Sequence, residues 1–436
     1  MKISNYIIEA HNETGHLLTN LFSGADLFLN NEQYEEYKSI IANLPNSSES
    51  ELFRCLRNQM IILNDDYSEY AVMKLKRNAA VFNMTPSEVK YVIAPTLACN
   101  ARCPYCYEKD VSAKKHMSDA KVDDLIAFIT KNIIGKKKLT LSWFGGEPLM
   151  NSNAIERVSD SIIPLCLKNG VEFHAHMTTN GILTDRYIDL IQKCRIESIQ
   201  ITLDGTKSVY ESVKGYVGIE NSFEHVVDNI FMLTTKGVYV SIRMNVGRNN
   251  IEDLQQLCCL LLNDSRWNDN IDIYFHPLMD YVKNDDEYLS ASEYEAMFTT
   301  LYQTLYELGY YTSVKQFRIR PRTLSCYGWD MTTFAIGPDG ELYNCQHELG
   351  QKEYEIGNIT EGLHITDNLV EEHRSDISTQ CKYCDYLPVC QGGCFYAMRV
   401  ENAEAQCQTV RFESKIRSRM LLDFLTNRIM KGGCSR

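Results

Sequence analysis

The sequence predicts an α/β protein, a partial (β/α)6 TIM barrel set between a small N-terminal α+β module and a cysteine-rich C-terminal region. Three observations predict it. From residue 88 to about 310, six apolar strand-like runs alternate with amphipathic helical stretches, and strands alternating with helices of this length pair in parallel through right-handed crossovers. Before residue 88 that rhythm is absent, and a hairpin signal is followed by short helices. Past about residue 311 it ends and cysteines return at high density. At 436 residues the chain is long enough for two or three domains. The changes of pattern set them at residues 1–87, 88–310 and 311–436.

In the first segment, Tyr6-Ile7-Ile8 and the run from His16 to Phe22 flank Asn12-Glu13-Thr14-Gly15, which reads as a hairpin turn. Glu32 to Leu44 has helical spacing, and Ser47 to Met60 opens with serine caps and places Leu52, Leu56 and Met60 on one face. A hairpin with short helices suits a winged-helix-like peptide-binding module, or a cap on the next domain.

The barrel strands are expected at Tyr91–Pro95, Leu139–Phe144, Val171–Met177, Ser198–Leu203, Val238–Val246 and Ile271–Leu278. Helices are expected near Ser118–Ile133, Ala154–Leu167, Asp185–Cys194, Phe223–Thr235, Ile251–Leu262 and Ala291–Leu308. Six units fall short of the eight that close a barrel, which leaves one side open to a large substrate. A cysteine loop, Gly145-Gly146-Glu147-Pro148, Asn180-Gly181 and Asp204-Gly205 all follow strand ends, the face where barrel enzymes place their chemistry.

Composition narrows the function classes. A content of 44% hydrophobic and 23% charged residues describes a soluble globular protein. The net charge of −13 argues against a nucleic-acid surface. No apolar run approaches the roughly twenty residues of a membrane span, and the N-terminus lacks a basic-then-apolar signal, so a cytoplasmic location without membrane attachment is expected. Sixteen cysteines without an export signal favour metal or redox chemistry over a disulfide framework.

The stretch Ala98 to Tyr107 places Cys99, Cys103 and Cys106 in a C-x3-C-x2-C run. Three thiolates leave a zinc tetrahedron unfinished and suit three corners of a cubane iron–sulfur cluster. A zinc knuckle with a distant fourth ligand and buried apolar cysteines are the competing readings. Tyr105 just before the third cysteine and the downstream Gly-Gly-Glu-Pro turn weaken both.

This combination resembles the radical S-adenosylmethionine (radical SAM) enzymes. The resemblance implies a [4Fe–4S] cluster on Cys99, Cys103 and Cys106 whose open iron is chelated by the amino and carboxylate groups of SAM. Reductive cleavage of SAM would then give a 5′-deoxyadenosyl radical that abstracts hydrogen from an unactivated carbon. It also implies cofactor contacts, Tyr105 in the cysteine loop among them. Gly145 and Gly146 let backbone approach the ligand, and Glu147 accepts from the methionyl amine; without the cysteines the same turn would read as an ordinary β-α connection. Thr202, in Thr-Leu-Asp-Gly, falls where relatives carry a small hydroxyl residue touching SAM. Lys214 falls where related sulfatase maturases hold the SAM carboxylate, and Arg243, inside the fifth strand, is the alternative partner. Leu278 matches a residue whose backbone meets adenine.

Beyond residue 311, Cys326, Cys345, Cys381, Cys384, Cys390, Cys394 and Cys407 form a seven-cysteine array. Two zinc ribbons could be drawn from the same residues. Behind a radical SAM core, the array resembles the SPASM domain of radical SAM enzymes that modify peptides. The resemblance implies two auxiliary [4Fe–4S] clusters, making three in all. The outer, auxiliary II, would rest on Cys381, Cys384, Cys390 and Cys407, and the inner, auxiliary I, on Cys326, Cys345 and Cys394. Sulfatase maturases complete the inner cluster with an eighth cysteine, but Tyr327–Asn344 contains none. Auxiliary I is thus left with an open iron able to bind a substrate thiolate, or with a non-cysteine ligand such as Thr332, Asp339 or His347. Those maturases also place an Asp base directly after the second cysteine of the array. Here Gln346 stands there, and an amide does not titrate in the useful range, so no catalytic base is assigned.

The expectation is therefore a radical SAM/SPASM peptide maturase acting on a ribosomally made precursor peptide whose leader the N-terminal module binds. It would abstract hydrogen from a residue and form a cross-link, a thioether first. Carbon–carbon or carbon–oxygen cross-linking comes next and anaerobic sulfatase maturation after it; a non-catalytic iron–sulfur electron carrier or a zinc-stabilised binding module would be a different class. A low-potential electron donor such as a ferredoxin or flavodoxin is implied as a partner. Of the remaining cysteines, most of Cys55, Cys166, Cys194, Cys258 and Cys259 are expected as small buried hydrophobes, and Cys434 in a mobile tail.

Overall fold

A computed structural model of the chain describes residues 1–44, 50–108, 115–216, 218–278, 291–374, 377, 379–399 and 403–430. Two compact units make it up. One gathers Met1–Val81, Phe298–Ser325 and Ser375–Arg436; the other is Phe82–Met297 with Cys326–Arg374.

The first unit opens with β1 (Lys2–Ile3) and a three-stranded antiparallel sheet of β2 (Ile7–Asn12), β3 (Gly15–Asn20) and β4 (Ala25–Leu29). The predicted hairpin is β2–β3, closed where Asn12 pairs with Gly15. Asn12 Oδ1 accepts from the Thr14 amide at 3.0 Å, a local bond that favours the turn. Helices α1 (Asn31–Ala42) and α2 (Glu51–Asn58) follow, capped by Asn30 and Ser50, then β5 (Ile62–Leu63), which pairs with β1, and α3 (Glu69–Val81). Alternation gives the sheet two faces. Leu18 packs with Leu29, Ile40, Phe53 and Leu56 beneath α1 and α2. The other face meets the C-terminal helix Ala403–Met430: Thr19 Oγ1 lies 3.3 Å from Ser418 Oγ, and Asn12 Nδ2 donates to Asp423 Oδ1 at 3.2 Å.

The second unit carries the predicted alternation. In order come β6 (Glu88–Ile93), α4 (Asp119–Asn132), β7 (Lys138–Trp143), α5 (Ser152–Asn169), β8 (Glu172–Thr179), α6 (Ile188–Lys193) and β9 (Ile196–Thr202). Then follow α7 (Lys207–Lys214), α8 (Ser222–Thr235), β10 (Tyr239–Val246), α9 (Ile251–Leu262), β11 (Ile271–Pro277) and the start of α10 (Ala291–Glu307), whose residues from Phe298 onward belong to the first unit. The six strands β6 to β11 are parallel neighbours in chain order, and β11 pairs only with β10 among the described residues, so the barrel stays open. Met244 packs against Cys258 of α9 at 3.9 Å, which marks the buried set as the helix-covered face. Ser142, His176, Gln200, Thr202, Arg243, Tyr274 and His276 alternate with that set and line the opposite, half-buried inner face.

The sheet also grows at its other edge. Strand β12 (Phe334–Ile336) pairs in parallel with β6, and β13 (Glu341–Tyr343), β14 (Gly357–Asn358) and β15 (Gly362–Leu363) add antiparallel. Helix α11 (Asp367–Arg374) ends this unit. Short helices α12 (Thr379–Lys382), α13 (Leu387–Cys390) and α14 (Phe395–Arg399) and the long α15 (Ala403–Met430) complete the first one. There Tyr386, Leu387 and Val389 share a core with Tyr6, Ile8, Leu21 and Met73. Cys166, Cys194 and Cys258 are buried as expected; Cys259 is exposed, because it lies on the outer face of α9, and Cys434 lies outside the described residues. Among the described residues no helix is long and apolar enough to cross a membrane.

Leu18 is fully buried and Leu75, on α3, is 71% exposed. Leu18→Ala is expected to destabilise the protein by about 2–5 kcal/mol, against roughly 0.5 kcal/mol or less for Leu75→Ala, as measured by urea unfolding.

Candidate functional site

The loops after β6 and β7 leave the sheet side by side and are bound together beyond the strand ends. Phe144 N donates to Ile93 O at 2.8 Å, Gly146 N to Thr96 O at 3.2 Å and Glu147 N to Ala98 O at 2.9 Å. The two glycines permit this approach. Gly145 has φ +104°, and a Cβ on it would sit 2.2 Å from Thr96 O; one on Gly146 would sit 2.4 Å from Ala98 O. Their immediate task is to let the turn lie against the backbone that carries Cys99.

Cys99, Cys103 and Cys106 are half-buried and free. Burial pushes the Cys99 thiol up to about 11, eased by an amide bond from Ala101 at 3.4 Å and reinforced by Glu147 and Cys103. Burial, with Glu108, pushes Cys106 up to about 12, and Cys103 and Cys99 add to the shift. The three thiols thus stand within Coulomb reach of one another. Among the described residues no group of three His, Cys, Asp or Glu converges on a single ion. A cubane asks for something else, one thiolate on each of several irons, with N–H donors toward the sulfurs. The spread trio with its amide donors fits that group.

Glu147 is wholly buried at the head of a short helical turn, Pro148–Asn151. Its carboxylate accepts from Leu149 N at 3.1 Å, Thr179 Oγ1 at 2.8 Å and Asn180 N at 2.9 Å. Burial raises its pKa to about 6 against these donors. Asn180 also reaches the cysteine loop, donating to Asn100 Oδ1 at 2.7 Å. The ends of β6, β7 and β8 are therefore one hydrogen-bonded assembly.

Tyr105 donates its hydroxyl to Asp204, at the end of β9. Asp204 Oδ2 lies 3.1 Å from Lys214 Nζ, both side chains being at most 4% exposed. Burial works against the Lys214 charge, yet Asp204, with Tyr105, holds its pKa well above the ordinary lysine value. Lys214, expected as a cofactor contact, is thus paired with Asp204, which the sequence places only at a strand end. Thr202 is half-buried on the inner face, in register with Arg243. Arg243 Nε donates to Asn245 Oδ1 and Nη2 to His276 Nδ1, both at 2.9 Å. Leu278 follows β11, its amide bonded to Val246 O at 3.0 Å.

The C-terminal cysteines divide between the units. Cys381, Cys384, Cys390 and Cys407 lie in the first, where burial pushes Cys390 up to about 12 with Cys407, Cys381 and Cys384 all contributing, so these four are neighbours. Cys394 belongs to the same unit, while Cys326 and Cys345 belong to the barrel unit. Gln346 N donates to Tyr327 Oη at 2.8 Å, and the His347 ring stands 4.3 Å from that of Tyr107. The segment after Cys345 therefore lies against the residue that follows Cys106, a proximity no spacing rule announces. Thr332 is bonded to Asp330, and Asp339 is ion-paired with Lys115 at the surface.

Residues 93–261 match the model of the Radical SAM superfamily. A cysteine-type anaerobic sulfatase-maturating enzyme of Clostridium novyi (strain NT) is 22% identical over 323 residues, 68% of this chain and 84% of the relative. The radical SAM cyclopropyl synthase TigE of Paramaledivibacter caminithermalis is 24% identical over 338 residues, 69% of this chain and 66% of the relative. The solved structure of native anSMEcpe with bound AdoMet and the Kp18Cys peptide covers 78% of this chain and 99% of its own, with a TM-score of 0.62 and 16% identity, a likeness of fold.

Because the atoms nearest a Gly146 Cβ are backbone of Leu97 and Ala98, they cannot give way without moving Cys99. Gly146→Ala is expected to lower the iron retained after anaerobic reconstitution while far-ultraviolet circular dichroism stays near that of the unaltered protein.

Proposed function

We propose that this chain, which carries a radical SAM domain, modifies a ribosomally made precursor peptide by hydrogen abstraction and cross-linking. The observation that carries the reading is the assembly of strand-end loops around Cys99, Cys103 and Cys106, with Glu147 and Asn180 fixed beside them. With a cluster and SAM bound, the site on Cys99, Cys103 and Cys106 would supply the radical chemistry that removes the hydrogen. Backbone at Gly145 and Gly146 would meet the methionyl amine, with Thr202 and the Leu278 backbone as further contacts, while the Glu147 carboxylate is held by Leu149, Thr179 and Asn180 and the Tyr105 hydroxyl by Asp204. Arg243 is the cation assigned to the carboxylate, since Lys214 is engaged by Asp204. Two auxiliary [4Fe–4S] clusters would sit on Cys381, Cys384, Cys390 and Cys407, and on Cys326, Cys345 and Cys394. A ferredoxin or flavodoxin would supply electrons.

A peptide substrate is favoured by the sulfatase-maturating relative and by the peptide in the similarly folded anSMEcpe structure. Within that class a thioether is the proposed product. Gln346 offers no base; Cys326, Cys345 and Cys394 would hold auxiliary I with three thiolates, and a cluster there would supply Lewis acidity toward a substrate thiol.

The leader would bind by strand addition. Strand β4 pairs only with β3 among the described residues and offers an edge, while β2, the other edge strand, is engaged by α15.

Anaerobic reconstitution should give about twelve iron atoms per chain if each site holds a cubane. Replacing Cys99, Cys103 and Cys106 by Ala should remove about a third of that iron and all formation of 5′-deoxyadenosine. Tightly bound zinc with no iron–sulfur absorbance would refute the reading. With a cysteine-containing candidate precursor peptide as substrate, mass spectrometry should find the loss of two hydrogens and one alkylatable thiol. Adding that peptide should slow amide exchange in Ala25–Leu29 and leave Ile7–Asn12 unchanged; no added protection in β4 would remove the leader from this edge.

A further inference from the structure

We infer that Lys214, Asp204 and Tyr105 form a buried latch that fixes the cysteine loop to the barrel, with Lys214 a positioning residue that does not itself touch the cofactor. The inference rests on the radical SAM reading of that loop. Lys214 grips the loop twice. Its carbonyl accepts from Arg102 N, between Cys99 and Cys103, at 2.7 Å. Its ammonium pairs with Asp204 at 3.1 Å and lies 3.3 Å from Tyr105 Oη, next to Cys106. Asp204 in turn takes the Tyr105 hydroxyl and the Asn245 amide at 2.9 Å, while Asn250 donates to its carbonyl at 3.2 Å. The carboxylate is thereby tied to β10, and the Asp204 backbone to the connection after it.

The charges leave little room for another partner. Asp204 is 2% exposed and Lys214 3%. The Lys214 ammonium is enclosed by the rings of Tyr105 and Tyr210, 5.9 and 5.7 Å from their centroids. Helix α7 ends at Gly215 with φ +55°, which turns the chain immediately after Lys214 while its carbonyl stays on the loop. Separating a buried pair strands an uncompensated charge, whereas removing both charges is close to neutral. That asymmetry distinguishes a latch from a cofactor contact.

The test uses the full chain, reconstituted anaerobically, as Asp204→Asn, Lys214→Met, the double variant and Tyr105→Phe. Electron paramagnetic resonance of the reduced protein, with and without SAM, and SAM affinity by equilibrium dialysis are the readouts. A signal from the unaltered protein that shifts on adding SAM tests the radical SAM reading separately from the latch. Each single charge removal should weaken SAM binding about tenfold or more and perturb the signal, and the double variant should return to within about threefold. If Asp204→Asn binds SAM normally while Lys214→Met and the double variant lose it equally, Lys214 holds the cofactor directly and the latch is wrong. Where the single variants do not fold, the double variant decides alone: SAM binding supports the latch and its loss overturns it. Tyr105→Phe keeps both charges and should still shift the signal; a spectrum and affinity identical to the unaltered protein would remove Tyr105 from the latch.

Discussion

The close approach of Gly145 and Gly146 to the backbone of Thr96–Ala98 is the constraint on which the barrel unit's chemistry depends. It continues the β6–β7 pairing past the end of both strands, so the register of the sheet decides where Cys99 stands. Burying Glu147 at the same point would be unfavourable for a lone carboxylate. It is tolerated because Leu149, Thr179 and Asn180 supply donors, and those bonds bring the end of β8 into the assembly. The start of the cysteine loop is thus held by neighbours that are themselves placed by parallel pairing.

Much of this was legible from residues alone, for identifiable reasons. The barrel strands announce themselves because each alternates a helix-covered apolar set with a polar inner set, and the cysteine spacing is rare enough to name a chemistry. Helix α7 escaped notice because eight residues carry too little period to stand out between β9 and α8. Strand β4 escaped because its residues are half-buried almost throughout, giving no alternation to read. The pairing of Lys214 with Asp204 joins positions ten apart across a turn and a helix, so spacing placed each residue near the site without showing that they meet.

The first unit shows why a change of sequence pattern is not the same as a change of compact unit. The β2–β3 hairpin is apolar on both faces, and α1 and α2 cover only one. The second face is covered by α15, while Tyr386, Leu387 and Val389 pack with Tyr6, Ile8 and Leu21. Cys381 and Cys384 border this same core. Ordering of the cysteine segment and of the N-terminal sheet is thus one packing problem, and a metal cluster on those thiols would stabilise the sheet by mass action on the folded state.

Electrostatics on the inner face follow from burial. His276 is pushed down to about 3, first by burial and then by Arg243, and His347 to about 4 by the same two causes. A guanidinium can only donate, so it requires His276 Nδ1 as acceptor; that nitrogen also lies 2.7 Å from the Pro277 carbonyl, to which it would donate in the other tautomer. Arg243 thereby selects the Nε2–H tautomer, and both rings remain neutral across the physiological range. Lys214 is neutralised by Asp204, whereas among the described residues no ion pair is found to the Arg243 guanidinium, in register with Thr202. An open barrel with polar strands and a half-buried guanidinium on its inner face would favour an anionic group there, and the neutral histidines would keep that preference from varying with pH near neutrality.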